Sequence, residues 1–96
     1  MKIQSDSLRF ITSPDVAASV HDNGIVLCNV AKGHIFASNA AGARIWRGVE
    51  DRQPLDAIVN SISNAFHIDI ATAWAHTIRF LAELERHALI QRQGIL

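Results

Sequence analysis

Tyrosine is absent from this 96-residue chain, cysteine occurs once and proline only twice. The single cysteine, Cys28, excludes an internal disulfide framework and points to a reducing compartment. Neither sign of charge dominates, because nine Lys and Arg residues balance nine Asp and Glu. The arginines are scattered and interleaved with acidic residues, so no basic stripe exists to displace counterions from phosphates, and nucleic acid is not an expected partner. The opening MKIQSDSLRF lacks the apolar run of a signal peptide, and no stretch approaches the roughly 18 apolar residues needed to span a bilayer. The chain therefore reads as cytoplasmic and soluble, with no membrane partner.

What is present is a globular composition, 49% hydrophobic, in a chain of a length suited to a single domain. Residues 1–12 carry no regular period and read as an irregular lead-in, with the domain expected over 13–96. Ser13-Pro14-Asp15 has the chemistry of a turn. Val16, Ala18 and Val20 then alternate with Ala17, Ser19 and His21, the period of a half-buried strand. Asp22-Asn23-Gly24 predicts a tight hairpin with positive φ supplied by Asn-Gly. Ile25 to Val30 follows as a more apolar strand, Ala31-Lys32-Gly33 as a turn, and His34 to Ala37 as a third strand at the sheet edge.

From Asn39, a good N-cap, the period becomes helical. Ile45, Trp46 and Val49 give the first helix its core face, and Gly42 inside it signals close backbone packing. Pro54 suits the first turn of a second helix carrying Leu55, Ile58, Val59, Ile62 and Phe66 at spacings of three and four. Asp69 then caps a third helix over about 70–87, with Ala73, Trp74, Thr77, Ile78, Leu81, Leu84 and Ala88 on its apolar face. Leu89-Ile90 is a short apolar ending that packs back on the core. The expected fold class is α+β: a three-stranded antiparallel sheet followed by three helices, winged helix-turn-helix-like.

Catalytic chemistry finds little footing in these residues. No pair among His21, His34, His67, His76 and His87 has metal-ligand spacing, so no metal site and no cofactor are expected. Cys28 lies within an apolar strand and reads as a small buried filler rather than a nucleophile. No phosphate-binding loop or carboxylate pair is present, and no catalytic residue is assigned. Phe36 and Phe80 stand apart from the other aromatics, one on the expected edge strand and the other beside the main apolar face of the last helix. A groove and an ordinary core fit that pattern equally well.

Residues 13–90 resemble the PqqD family of small peptide chaperones, whose fold is also called the precursor-peptide recognition element. The most specific part is Ser38-Asn39-Ala40-Ala41-Gly42-Ala43-Arg44-Ile45-Trp46, similar to the family's LN-x-x-GARIW segment. Ser13-Pro14-Asp15-Val16, Ile25-Val26-Leu27 before Gly33, and Phe80-Leu81 with Leu84 and Ala88-Leu89-Ile90 support it. Four positions depart: Phe36 stands where Tyr is frequent, His76 and Asn29 where Asp is frequent, and Ala88 where Gly is usual.

The resemblance implies that the leader segment of a precursor peptide is bound as an extra strand on the third strand. His34, Ile35, Phe36 and Ala37 would form the rail, and Ala73, His76, Arg79, Phe80 and Glu83 the facing helical wall. Proline at Phe36 is expected to abolish such binding by removing a strand donor. The implied partners are the precursor and a modifying enzyme, such as a radical S-adenosylmethionine enzyme, or a leader peptidase. Two alternatives stay open from the residues: a winged-helix DNA-binding regulator, and a dimerisation module in which the same edge pairs with a second copy to form a homodimer.

Overall fold

The computed structural model describes residues 9–93. Eight elements follow one another: β1 (Arg9–Thr12), β2 (Val16–His21), β3 (Gly24–Asn29), β4 (His34–Asn39), α1 (Ala40–Glu50), α2 (Leu55–Phe66), α3 (Ile70–Arg86) and β5 (Ile90–Gln93). Strands β2, β3 and β4 make an antiparallel sheet in that order, and β1 pairs antiparallel with β5 in a separate ribbon. The expected three strands and three helices are all present in sequence order.

The ribbon is where the expectation fails. The irregular lead-in expected over 1–12 gives way by Arg9 to a strand, while its first eight residues lie outside the described ones. Phe10 is buried in the core, and Arg92 lies over its ring at 5.7 Å from the centroid. Four-residue strands from opposite ends of the chain carry too short an alternation to be read locally. They exist because Arg9↔Gln93 through Thr12↔Ile90 satisfy each other's backbone groups.

The β2–β3 hairpin also differs from the reading of its turn. Asp22 and Asn23 are the connecting residues and neither has a positive φ. Gly24 instead opens β3, where a Cβ would lie 2.8 Å from the Ser38 carbonyl oxygen. Its glycine is needed for close approach rather than for turn conformation. Gly33, with φ +72°, does fill a left-handed turn position, and its N–H donates to the Asn29 carbonyl at 2.8 Å.

Side chains alternate across the sheet. Ile25, Leu27 and Asn29 face inward and are buried, and opposite them stand Val16, Ala18 and Val20 on β2 and His34, Phe36 and Ser38 on β4. Helix α1 lies under this inner face and buries Ile45, Trp46 and Val49, as its period required. Asn39 caps it, its side chain accepting from the Gly42 N–H at 3.1 Å. Asp69 occupies the N-cap of α3 without a side-chain hydrogen bond, and Pro54 sits at the N-cap of α2 rather than within its first turn.

Helix α3 buries Ala73, Thr77, Leu81 and Leu84, a narrow stripe, while Trp74 packs partly against the core. Ile78 was expected on that face but is 45% exposed. Ala88 lies beyond the helix with φ 60°, and Leu89 N–H returns to the Leu84 carbonyl at 2.9 Å. That six-residue closure is the usual end of a helix whose next residue turns left-handed.

Candidate functional site

Among the described residues strand β4 has a strand neighbour on one side only, because the sheet ends there. Which of its residues are free to pair outward follows from the two turns. In an antiparallel ladder a residue's N–H and C=O point to the same side, and successive residues alternate. The N–H of Gly33 donates to the Asn29 carbonyl, so Asn29 points toward β4. With the register Asn29↔His34, Leu27↔Phe36 and Ile25↔Ser38, those β4 residues point back at β3. The outward groups therefore belong to Ile35 and Ala37, with Asn39 at the end of the strand. Both Ile35 and Ala37 are exposed, Ile35 at 72%.

The inward side chains of β4 meet the C-terminal half of α3. The Phe36 ring stands 5.8 Å from that of Phe80 and 5.3 Å from the imidazole of His87, and His34 meets His87 edge-on at 6.2 Å. Beside this aromatic contact lies a groove of about 200 Å³. His76, Arg79, Phe80 and Glu83 form its helical wall, and Ser38, Asn39, Ala41, Gly42 and Ile45 its floor and strand side. Gly42 sets its depth, since a Cβ there would lie 2.8 Å from Phe80 Cζ and 2.7 Å from Ser38 Cβ.

The charged groups of the wall are not equivalent. Glu83 is engaged by Arg86, and His87 Nδ1 lies 3.9 Å from its carboxylate. Arg79 has no ion-pair partner among the described residues and projects at the rim. A carboxylate entering the groove would find it available, for about 1 kcal/mol or less at such exposure.

The structure thus brings together His76, Arg79, Phe80 and Glu83, and sets His34, Ile35, Phe36 and Ala37 along the adjacent edge. Ala73 does not join them: it is 0% exposed, part of the stripe that packs into the core. The groove residues that the sequence did not assign to the site are Ser38, Asn39, Ala41, Gly42 and Ile45. The glycine inside α1 was the available signal, since close packing against a neighbour was expected there.

Cys28 is half-buried on the sheet face away from α1, not the buried filler expected, because the strand's alternation gives the core face to Ile25, Leu27 and Asn29. A larger groove, of about 550 Å³, runs between α1 and α2 past Arg44, Arg47 and Asp51 and touches only the tip of the β2–β3 hairpin. Its lining is mostly polar and no open length of β4 borders it, so it does not combine backbone pairing with apolar pockets. No helix among the described residues is long and apolar enough to cross a membrane.

Because Gly42 supports Phe80, Gly42→Ala is expected to push the ring into the groove. A strand-forming ligand should then bind about tenfold more weakly with the fold retained, a change of about 1.4 kcal/mol. Titration alongside thermal melting would separate this from unfolding.

A three-stranded sheet with one free edge, set against a helix-walled groove, defines a small α+β domain of the kind that accepts an extended segment by strand addition. The family model of coenzyme PQQ synthesis protein D matches residues 24–90, and the chain belongs to the PqqD family. Two solved structures are similar. TbiB1 in complex with the TbiA(beta) leader peptide superposes with a TM-score of 0.80 at 26% identity, over 88% of this chain and 99% of that one. Lasso peptide synthetase B1 complexed with the leader peptide gives 0.77 at 16% identity, over 86% and 98%. No curated protein matches.

Proposed function

We propose that this domain binds the leader segment of a ribosomally made precursor peptide by strand addition to β4 and presents it to a modifying enzyme. The observation that carries the reading is the pair of unpaired backbone positions, Ile35 and Ala37, beside the groove walled by Phe80. An incoming strand would satisfy both their N–H and C=O groups, which gives register and part of the affinity. Its inward side chains would drop beside Phe36, Phe80 and His76, which gives selectivity. TbiB1, at 26% identity, is a leader-peptide complex and supports the same use of the fold.

In this reading the domain makes and breaks no bonds. It acts by holding a substrate near an enzyme in the cytoplasm, where linkage of this kind produces effective concentrations of order millimolar. The enzyme would be a modifying enzyme, such as a radical S-adenosylmethionine enzyme, or a leader peptidase. The DNA-binding alternative has little support from α3, whose two arginines, Arg79 and Arg86, are balanced in number by Glu83 and Glu85 and which carries no Asn or Gln to read base edges.

The test is a titration of isotope-labelled protein with a panel of synthetic leader peptides. The amides of Ile35 and Ala37 should shift and become protected from exchange, while that of Phe36, already paired to β3, changes little. Shifts confined to the α1–α2 groove would overturn the proposal.

A further inference from the structure

The sheet has a second free edge. Among the described residues strand β2 pairs only with β3, and no other strand lies along its outer side. Natural edge strands usually carry a device against self-pairing: a lysine, a proline, a bulge or an inward charge. Val16–His21 carries none: its register with β3 is unbroken and its only titratable side chain is His21. With net charge zero, the chain also lacks the general repulsion that keeps copies apart.

We infer that β2 pairs with β2 of a second copy, in antiparallel register about Ala18, leaving β4 free for its own ligand. The backbone sets the parity. The Val30 N–H donates to the Asp15 carbonyl at 2.8 Å, so Asp15 and the odd-numbered residues after it face β3. The outward N–H and C=O groups are those of Val16, Ala18 and Val20.

A two-fold axis at Ala18 matches these groups one to one: Ala18 meets Ala18, and Val16 meets Val20 in both directions. On the inner sheet face these residues would form one continuous apolar patch. Val16 and Val20 are only half-buried in the single chain and Ala18 is exposed. On the other face the same register sets Asp15 against His21 of the second copy, twice. His21 holds Ser19 Oγ through Nε2 at 2.8 Å, which leaves Nδ1 for that carboxylate. Sliding by two residues would put Asp22 of the turn opposite Val16 and separate Asp15 from His21. Charge and hydrogen bonding select the same register.

One pair of short strands covers less than the roughly 1,000 Å² expected of a stable interface, so the dimer should be weak, with Kd in the micromolar range or above. Sedimentation velocity over a concentration series should show monomer converting to dimer. Ala18→Lys, which puts like charges face to face on an exposed position, should remove the dimer without changing the melting temperature.

In a Cys28→Ser background, Ala18→Cys should form a disulfide dimer on mild oxidation, because axial residues lie about 5.5 Å apart, within disulfide range. Ser19→Cys, diagonal at about 7–8 Å, should not. A chain that stays monomeric to about 1 mM, or a dimer that survives Ala18→Lys but is lost on Ala37→Pro, would overturn the inference. The leader-binding reading rests on β4 alone and would stand or fall separately.

Discussion

Ala37→Pro is expected to abolish leader binding while the domain stays folded. The Ala37 N–H points away from β3, so proline removes no bond of the native ladder, and an exposed edge is where strands tolerate this residue. For an incoming strand the same change removes a donor and places a ring where the guest backbone must lie. The loss should be about 2–3 kcal/mol, roughly 30- to 150-fold in Kd.

Phe36→Pro, the substitution suggested by the sequence, would be a poor test. Its N–H belongs to the β3 ladder opposite the buried Leu27, and its ring supports Phe80. Binding would be lost through unfolding. Fluorescence anisotropy with a labelled leader, read beside circular dichroism melting, distinguishes the two variants. If Ala37→Pro bound within twofold of the parent, strand addition at β4 would be wrong.

Asn29→Asp is expected to destabilise the fold by about 2–3 kcal/mol at pH 7. Asn29 is 3% exposed and joins two parts of the molecule: Nδ2 donates to the Ala88 carbonyl at 2.8 Å, and Oδ1 accepts from the Lys32 N–H at 3.0 Å. It therefore fixes the β3–β4 turn to the end of α3, and with it the spacing of the rail and the wall. Aspartate would set a carboxylate oxygen against the Ala88 carbonyl and remove the donor.

The pH dependence follows from that repulsion and from burial, both of which raise the folded-state pKa of the new carboxyl above its ordinary value of about 3.9. Below that ordinary value both states are protonated, and the neutral acid can donate to Ala88. The penalty is then smallest, and it grows as pH rises through the folded pKa. Urea unfolding at pH 4 and pH 7 should show the variant closer to the parent at the lower pH; equal differences would refute the account.

Two of the departures from the family pattern meet at this bond. Ala88 holds a left-handed conformation that glycine adopts without strain, and its carbonyl is the one Asn29 secures. Ala88→Gly alone should therefore stabilise by up to about 1 kcal/mol. The effects of Asn29→Asp and Ala88→Gly should be non-additive, since the two residues share the contact.

The helical part of the fold was legible because its signals are local. Asn39 caps α1 as expected, Ile45, Trp46 and Val49 are its buried face, and Gly42 is packed as a glycine inside a helix should be. The ribbon of β1 and β5 was not legible, because its pairing joins opposite ends of the chain and each strand is too short for a period to emerge. The wall of the groove was half legible. Residues 76, 79, 80 and 83 share one side of a helix by spacing alone, but whether Ala73 faces the groove or the core, and whether Ile78 is covered, depends on how α3 is rotated against its neighbours.

By itself the sequence determined the order and type of the central elements, the Asn39 cap of α1 and the glycine turn at Gly33. These follow from spacing and side-chain chemistry within a few residues. Only the tertiary structure decided which backbone groups of β2 and β4 face outward, that Asn29 reaches Ala88, and that Phe36 and Phe80 meet. Those depend on register and rotation, which are set by contacts between residues far apart in the chain and leave no local periodic trace.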